Sequence, residues 1–247
     1  MDSILITTGW YSDSKRWKQY QGAGRSKLTF ESNWFSDYWI PQIEKFINPY
    51  YLFYVSNCEI LPFFEMFEEN ADQWNNKYNI LYATKRADKL EHRHGFHSAI
   101  MNGMQFALTE GLHFVFIEQD CFVHNLDKVI DWSLENTSKN DNKFLAYGFG
   151  QYSFQRGWAE QSLIFVPNNC IEFVIDELNK SRIHETKGLP MPERIWQVLF
   201  ERYAVFFPFG YGRYEVKNWN KDGMFYKQQL TDKDISNFIK LRRDENV

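Results

Sequence analysis

The hydrophobic and polar positions along the chain alternate between two patterns, which together predict a layered α/β fold. Short runs of β-branched and aromatic residues are typical of strands buried inside parallel sheets, and longer stretches carry apolar residues at helical spacing. The predicted strands are 3–8, 50–55, 78–83, 113–117, 143–149 and 161–166; the predicted helices start at Ser36 or Asp37 and cover 94–109, 126–134, 170–178, 193–203 and 232–241. This alternation predicts a Rossmann-type, mostly parallel sheet with helices on both faces.

The stretch 113–123 is the centre of this pattern. An apolar run, 114–117, is followed by two acids separated by one residue, Glu118 and Asp120, and then by the apolar run 121–123. Acids at positions i and i+2 at the end of a strand can point to a common side. Since buried carboxylates are costly unless paired or metal-bound, two such acids suit a hard divalent cation that also binds phosphate. The alternative is that both acids are strand-end surface residues or members of a structural ion pair.

Composition and charge narrow the class of protein. The chain has 247 residues, 44% hydrophobic and 24% charged, which fits one large globular domain. Its net charge of −4, with scattered basic residues, gives no reason to expect a nucleic-acid partner. We also expect no transmembrane segment and no signal peptide, because no apolar run is long enough and the N-terminus lacks a basic region. Three widely spaced cysteines suit a reducing compartment, so we expect a cytoplasmic protein.

Two neighbouring motifs resemble a known family. Residues 95–103 read Gly-Phe-His-Ser-Ala-Ile-Met-Asn-Gly, and a strand ending in Glu118-Gln119-Asp120 follows. Together they resemble the nucleotide-binding half of glycosyltransferases with the GT-A fold, which typically show a glycine, Ala-Arg-Asn and a second glycine in a helix, then a strand ending in Asp-x-Asp. Here Met101-Asn102 stands where Arg-Asn is usual. The resemblance implies a single GT-A-like domain with a nucleotide-sugar-binding half, 1–123, and an acceptor-binding half with the C-terminal helix, 124–247.

The resemblance also implies a reaction. We expect transfer of a sugar, hexosyl or pentosyl, from a nucleotide-diphosphate sugar, UDP or GDP, to a hydroxyl acceptor such as a glycan, a lipid-linked sugar or a protein glycan. Mn²⁺ or Mg²⁺ would sit on the diphosphate, where a Lewis acid stabilises the charge of the leaving group. Asp120 is the first candidate for direct ligation, and Glu118 could ligate directly, through water, or hold the ribose.

Contacts to the nucleotide are expected from loops at the carboxyl edge of the sheet. The helix start at His94 suits phosphate because its N–H groups are unpaired, and glycines flank Arg213 in a loop that could approach a phosphate closely. Residues 12–33, polar and glycine-bearing, are expected to form a surface loop. Each candidate could equally be an ordinary loop or helix residue; the full set is Thr7, Thr8, Tyr11, Asn57, Arg86, His94, Asn102 and Arg213.

An inverting transferase also needs a general base that deprotonates the acceptor hydroxyl. The family usually places an acid at a helix start downstream of the metal motif, and Glu193 occupies such a position, with Glu160 as the rival. A retaining enzyme would need no such base.

Three other interpretations stay open at the level of sequence. The histidines at 92, 94 and 97 could bind zinc with one of the two acids, although their spacing does not match a helix face. A sugar-phosphate nucleotidyltransferase shares the sheet type, but its glycine-rich, basic loop is missing after the first strand. A non-catalytic carbohydrate-binding protein of the same fold is the third possibility.

Overall fold

The computed structural model of the chain describes residues 4–10, 24–31, 33–43, 51–56, 80–85, 92–152, 156–181, 192–212, 215–216, 219 and 223–245. Ten strands lie in these ranges: β1 Ile4–Trp10, β2 Tyr51–Ser56, β3 Ile80–Lys85, β4 His113–Ile117, β5 Cys121–His124, β6 Leu145–Tyr152, β7 Arg156–Val166, β8 Ala204–Phe206, β9 Gly210–Gly212 and β10 Phe225–Gln228. The α-helices are α1 Ile40–Ile43, α2 His92–Glu110, α3 Leu126–Asn136, α4 Asn168–Lys180, α5 Pro192–Phe200 and α6 Asp232–Glu245.

The larger sheet confirms the predicted architecture. Within the described residues seven strands follow the order β3-β2-β1-β4-β7-β6-β8. The first four are parallel to one another, and β6 with β8 runs the same way, whereas β7 is antiparallel to both of its neighbours. The sheet is therefore mostly parallel, with one reversed strand beside the central β4.

Alternate residues of the central strands explain why helices cover both faces. On β1, Leu5 packs with residues of α2, α4 and α5, whereas Ile6 packs on the opposite face with residues of α1, α3 and α6. Neighbouring β4 repeats the pattern with Phe114 and Val115. Because successive side chains of a strand point to opposite faces, a strand buried on both sides is apolar over several consecutive residues, as 4–6 and 114–117 are.

The stretch 113–123 divides into two strands that belong to different sheets. Strand β4 ends at Ile117, and after a turn β5 begins at Cys121 in a small sheet ordered β5-β10-β9. Strand β10 runs antiparallel to β5 and pairs Gln228 with Cys121. The small sheet thus brings a C-terminal segment against the acidic turn, although the sequence pattern predicted none of β8, β9 and β10.

Several boundaries differ from the prediction, and strand β7, for example, begins at Arg156 instead of residue 161. Strand β1 continues to Trp10, beyond the predicted end at Thr8. The reason is pairing with β2, which continues up to Trp10, whereas pairing with β4 ends at Thr7. Helix α2 begins at His92, two residues earlier than predicted. Among the described residues, no helix is long and apolar enough to cross a membrane.

Candidate active site

The acidic turn lies at the place where an open α/β sheet usually binds ligands. The chain passes outward from β1 to β2 and β3, and then returns to form β4 on the other side of β1. Such a reversal of strand order opens a crevice at the carboxyl ends of the two strands. Glu118 and Asp120 directly follow the carboxyl end of β4, so they lie beside this crevice.

Side chains from the segment 33–43 hold the backbone of the turn. The indole rings of Trp34 and Trp39 are fully buried, so their hydrogen bonds are shielded from water. Trp34 Nε1 donates to the carbonyl of Gln119 at 2.6 Å, and Trp39 Nε1 donates to the carbonyl of Glu118 at 3.3 Å. Gln42 Nε2 donates to the carbonyl of Cys121 at 3.2 Å. This scaffold fixes the directions of the acids before any ligand binds, which is the condition for an effective electrostatic site.

Asp120 faces a cation that the sequence analysis did not identify. Its side chain is 6% exposed, and its Oδ2 lies 2.7 Å from Nη2 of Arg25, whose own side chain is 13% exposed. Neither carboxylate oxygen receives a well-directed hydrogen bond from the described residues. Asp120 thus has a close charge partner and still has capacity to accept ligands.

Lys227 is the second cation beside the acids. It is 2% exposed on β10, donates to the carbonyl of Gln228 at 2.9 Å, and its Nζ lies 3.7 Å from Oδ2 of Asp234. Burial lowers the pKa of Lys227, while the nearby carboxylates of Asp234 and Asp120 act in the opposite direction. A lysine this deeply buried is uncommon unless it has a charge partner, and Asp234 is that partner here.

Glu118 and Glu160 are linked by a chain of hydrogen bonds. Ser162 Oγ lies 2.9 Å from Oε2 of Glu118 and also contacts Oε1 of Gln228. Gln228 Nε2 donates to Oε1 of Glu160 at 3.0 Å, and the hydroxyl of Tyr226 donates to Oε2 at 3.2 Å. Both oxygens of the buried Glu160 thus anchor β10 to β7, which does not suit a base that has to reach an acceptor hydroxyl.

The acids also act on a neighbouring thiol. Cys121 is fully buried in the first position of β5. Burial raises its pKa well above the ordinary value, and the negative charges of Asp120, Glu118 and Glu160 raise it further. The positive charge of Lys227 acts in the opposite direction on this thiol.

The residues present fit a divalent cation. Glu118 and Asp120 supply carboxylate oxygens two positions apart in the turn, the kind of ligand that hard divalent cations prefer. The described residues contain no group of three or more metal-binding side chains. Asp120 and Glu118 would therefore hold the ion, and phosphate oxygens and water would complete its shell, as Mg²⁺ prefers.

Thr7 and Thr8 do not lie in a loop. They belong to β1 and are 0% and 1% exposed. A Cβ added at Gly103 of α2 would lie 2.8 Å from Thr7 Oγ1, so the threonine packs directly beneath the helix. The prediction that Thr7 contacts the nucleotide from a loop is corrected, because close packing of α2 on β1 covers it.

The other predicted residues are placed only in part. His94 is in the first turns of α2 and Glu193 is in the first turn of α5, at the level of the backbone. Asn102 is exposed on α2, ten residues beyond its first residue, which is about 15 Å along the axis. Its distance from the helix start separates it from the phosphate site predicted there. Four predicted contacts lie outside the described residues: Tyr11, Asn57, Arg86 and Arg213.

The segment 24–31 was expected to be part of a surface loop, but it lies against the acidic turn. Ser26, Thr29 and Phe30 are buried, and Gln119 Nε2 donates to the carbonyl of Thr29 at 2.9 Å. The signal available in the sequence was a single arginine between small polar residues, which is common in ordinary loops. Arg25 therefore became a candidate only when its distance to Asp120 was known.

Comparisons with known proteins support the fold. No protein-family model matches the sequence, and no curated protein sequence matches it. The structure is similar to a glycosyltransferase involved in the glycosylation of the major capsid of PBCV-1, with a TM-score of 0.51, 13% identity, and coverage of 98% of this chain and 99% of that one. This is the fold of GT-A-like nucleotide-diphosphate-sugar transferases.

Two further structures have lower scores. CTP:phosphocholine cytidylyltransferase from Streptococcus pneumoniae has a TM-score of 0.49 and 11% identity, and the match covers 99% of this chain and 100% of that one. The glycosyltransferase GlyE from Streptococcus pneumoniae TIGR4 has a TM-score of 0.43 and 12% identity, with coverage of 83% and 44%. The similarity at a TM-score of 0.51 shows the fold alone, and only a site can indicate which reaction the fold supports.

Proposed function

We propose that the protein is a glycosyltransferase that moves a sugar from a nucleotide-diphosphate sugar, with UDP or GDP as the nucleotide, to a hydroxyl acceptor. One observation carries this proposal: two carboxylates, Glu118 and Asp120, follow the central strand at the point where the strand order reverses. That edge is the usual ligand position in such sheets, and the backbone of the turn is fixed there in advance.

The charges of the site support a diphosphate leaving group. Asp120 and Glu118 would hold Mn²⁺ or Mg²⁺, and the bound ion would supply a Lewis acid for the phosphate oxygens. The role of the protein's own groups is to orient the donor: the indoles of Trp34 and Trp39 fix the turn, and Arg25 contributes positive charge at its rim. Arginine suits this position because its planar group binds phosphate in two places.

Glu193 is the proposed general base if the reaction inverts the sugar. It lies in the first turn of α5, whereas both oxygens of Glu160 hold Gln228 and Tyr226. The base would remove the proton of the acceptor hydroxyl as that oxygen attacks the anomeric carbon, and the diphosphate would leave with the electrons of the broken bond.

The test combines binding with product analysis. We expect a UDP- or GDP-sugar with Mn²⁺ to raise the melting temperature, and nucleoside diphosphate to be released in the presence of an acceptor. Asp120→Asn should lower the rate on the order of 100-fold, because it removes the negative charge that would hold the metal on the diphosphate. Asp131→Asn is the matched control, since this aspartate is exposed on α3.

Other outcomes of this experiment would indicate a different function. Release of pyrophosphate from a nucleoside triphosphate and a sugar phosphate would instead indicate a nucleotidyltransferase. If no nucleotide sugar stabilises the chain with or without the metal, while a glycan does, a carbohydrate-binding protein replaces the transferase. If Asp120→Asn and Asp131→Asn have the same rate, the site assignment is wrong.

A further inference from the structure

We propose that Arg25 and a divalent cation are alternative counter-ions of Asp120, so that Arg25 controls the affinity of the site for metal and moves to the diphosphate when the metal binds. The inference deepens the proposed function and rests on it for the identity of the diphosphate. The exchange at Asp120 itself can be measured with metal alone.

The first step is that both cations bind the same carboxylate. Arg25 Nη2 lies 2.7 Å from Oδ2 of Asp120 in an ion pair that is largely shielded from water. A divalent ion binds a carboxylate oxygen at about 2.0 to 2.2 Å, so a metal on Asp120 would be within a few ångströms of the guanidinium. Repulsion between them is strong because a partly buried pair is screened little by solvent or salt.

The second step is that the backbone next to Arg25 is anchored. The next residue, Ser26, donates from its N–H to the carbonyl of Leu230 at 2.7 Å, and its hydroxyl donates to Asp232. Thr29 Oγ1 also donates to the carbonyl of Ser26 at 3.0 Å. A long side chain on an anchored backbone can exchange partners by changing rotamers, without moving the sheet or the helices.

The third step is the charge that a donor would bring. A divalent ion on Asp120 would take over the role of counter-ion from Arg25, and a diphosphate then adds new negative charge beside the ion. The side chain of Arg25 is 13% exposed, so a guanidinium released from Asp120 would carry its charge to the phosphates, whereas Lys227 is enclosed at 2% exposure.

The closing experiment measures Mn²⁺ binding to the full chain in the absence of nucleotide, from the electron paramagnetic resonance signal of free Mn²⁺. We expect Arg25→Met to bind Mn²⁺ at least about tenfold more tightly than the unaltered protein. Arg25→Lys keeps a cation and should stay within a few-fold of the unaltered protein. Lys27→Met is the matched control, because it removes a neighbouring positive charge that is 56% exposed and paired with Glu31.

A second measurement does not depend on a folded Arg25→Met variant. In the unaltered protein labelled with ¹⁵N-arginine, saturating Mg²⁺ should shift the guanidinium resonance of Arg25, assigned with Arg25→Lys, and the shift should disappear in Asp120→Asn. If Arg25→Met binds Mn²⁺ no better than Lys27→Met, or if Mg²⁺ leaves the Arg25 resonance unchanged, the inference is overturned. Neither result requires sugar transfer, so failure here is distinguishable from failure of the proposed function.

Discussion

At the scale of single residues, the local spacing of acids located the site but not its charge balance. Glu118 and Asp120 were recognisable because two acids interrupt an apolar strand, and a buried acid needs a reason. Their partners Arg25 and Lys227 are about a hundred residues away along the chain on either side, within polar stretches that look ordinary. A partner's identity depends on which segment packs against the turn, and no local pattern encodes that.

The thiol of Cys121 provides a test at this scale. Burial and the adjacent acids raise its pKa, so we expect it to resist alkylation by iodoacetamide in the folded chain at about pH 9, where ordinary thiols react. In the unfolded chain the same thiol should react readily. Mass spectrometry of the peptides reports which cysteine is modified.

The same shift predicts how stability depends on pH. A group whose pKa is raised in the folded state contributes stability that is present below its unfolded pKa and is lost as pH rises through the folded value. Cys121→Ala should therefore flatten the alkaline decline of the free energy of unfolding. If Cys121 is alkylated in the folded protein as fast as in urea, the burial of the thiol beside the acids is wrong.

At the scale of elements, long periodic segments were predictable and short paired strands were not. Helices α2, α3, α4 and α6 lie within a few residues of their predicted bounds because their apolar spacing repeats over several turns. Strand β10, Phe-Tyr-Lys-Gln, is buried at all four positions although half of its residues are polar. It exists because β5 offers a pairing edge, which is a property of the folded chain.

Gly148 shows how closely strand β6 approaches Tyr226 of β10 and Glu160 of β7. A Cβ at this position of β6 would lie 2.8 Å from Cζ of Tyr226 and 2.9 Å from Cβ of Glu160. Gly148→Ala should therefore lower the free energy of unfolding by about 1–3 kcal/mol, as overpacking does, measured by urea denaturation.

Tyr226→Phe combined with Gly148→Ala tests whether the hydroxyl of Tyr226 causes the overpacking. Removing the hydroxyl that lies against Gly148 should make the double variant more stable than the sum of the two single effects predicts. Additive effects would show that the tyrosine is not what Gly148 accommodates.

At the scale of the whole molecule, segments from both ends of the chain complete the site. Residues 24–31 and 33–43 lie against the acidic turn, and residues 225–228 pair with the strand that follows it. Lys227, which acts on Asp120, thus belongs to the half of the chain that was predicted to bind the acceptor. The turn itself shares one hydrophobic core with α1, α3 and α6.

A substitution at Ser26 tests whether the contact between these two segments stabilises the protein. Its hydroxyl donates to Asp232 at the start of α6 and its N–H donates to the carbonyl of Leu230, so it ties the two segments together. Ser26→Ala should lower the global free energy of unfolding by about 1–2 kcal/mol, because the buried serine hydroxyl that donates to Asp232 and accepts from the N–H of Leu28 is removed. Far-UV circular dichroism and tryptophan fluorescence should report the same single transition.

Ser236→Ala is the control for this prediction. It also removes a serine hydroxyl bonded to Asp232, at 2.9 Å from its carbonyl, but it lies on the exposed side of α6. An equal loss of stability in both variants would mean that the link between the segments contributes nothing beyond one helix contact.

The sequence by itself determined the layered sheet, the positions of its long helices and the acidic turn after the central strand. These follow from periodicity, because a strand buried on both faces has to be apolar and two acids at its end stand out against it. Only the tertiary structure decided that Arg25 is the counter-ion of Asp120, that Glu160 anchors β10, and that Thr7 is covered by α2. Such assignments depend on contacts between segments that are far apart in the sequence, and local sequence patterns do not determine which of these segments pack together.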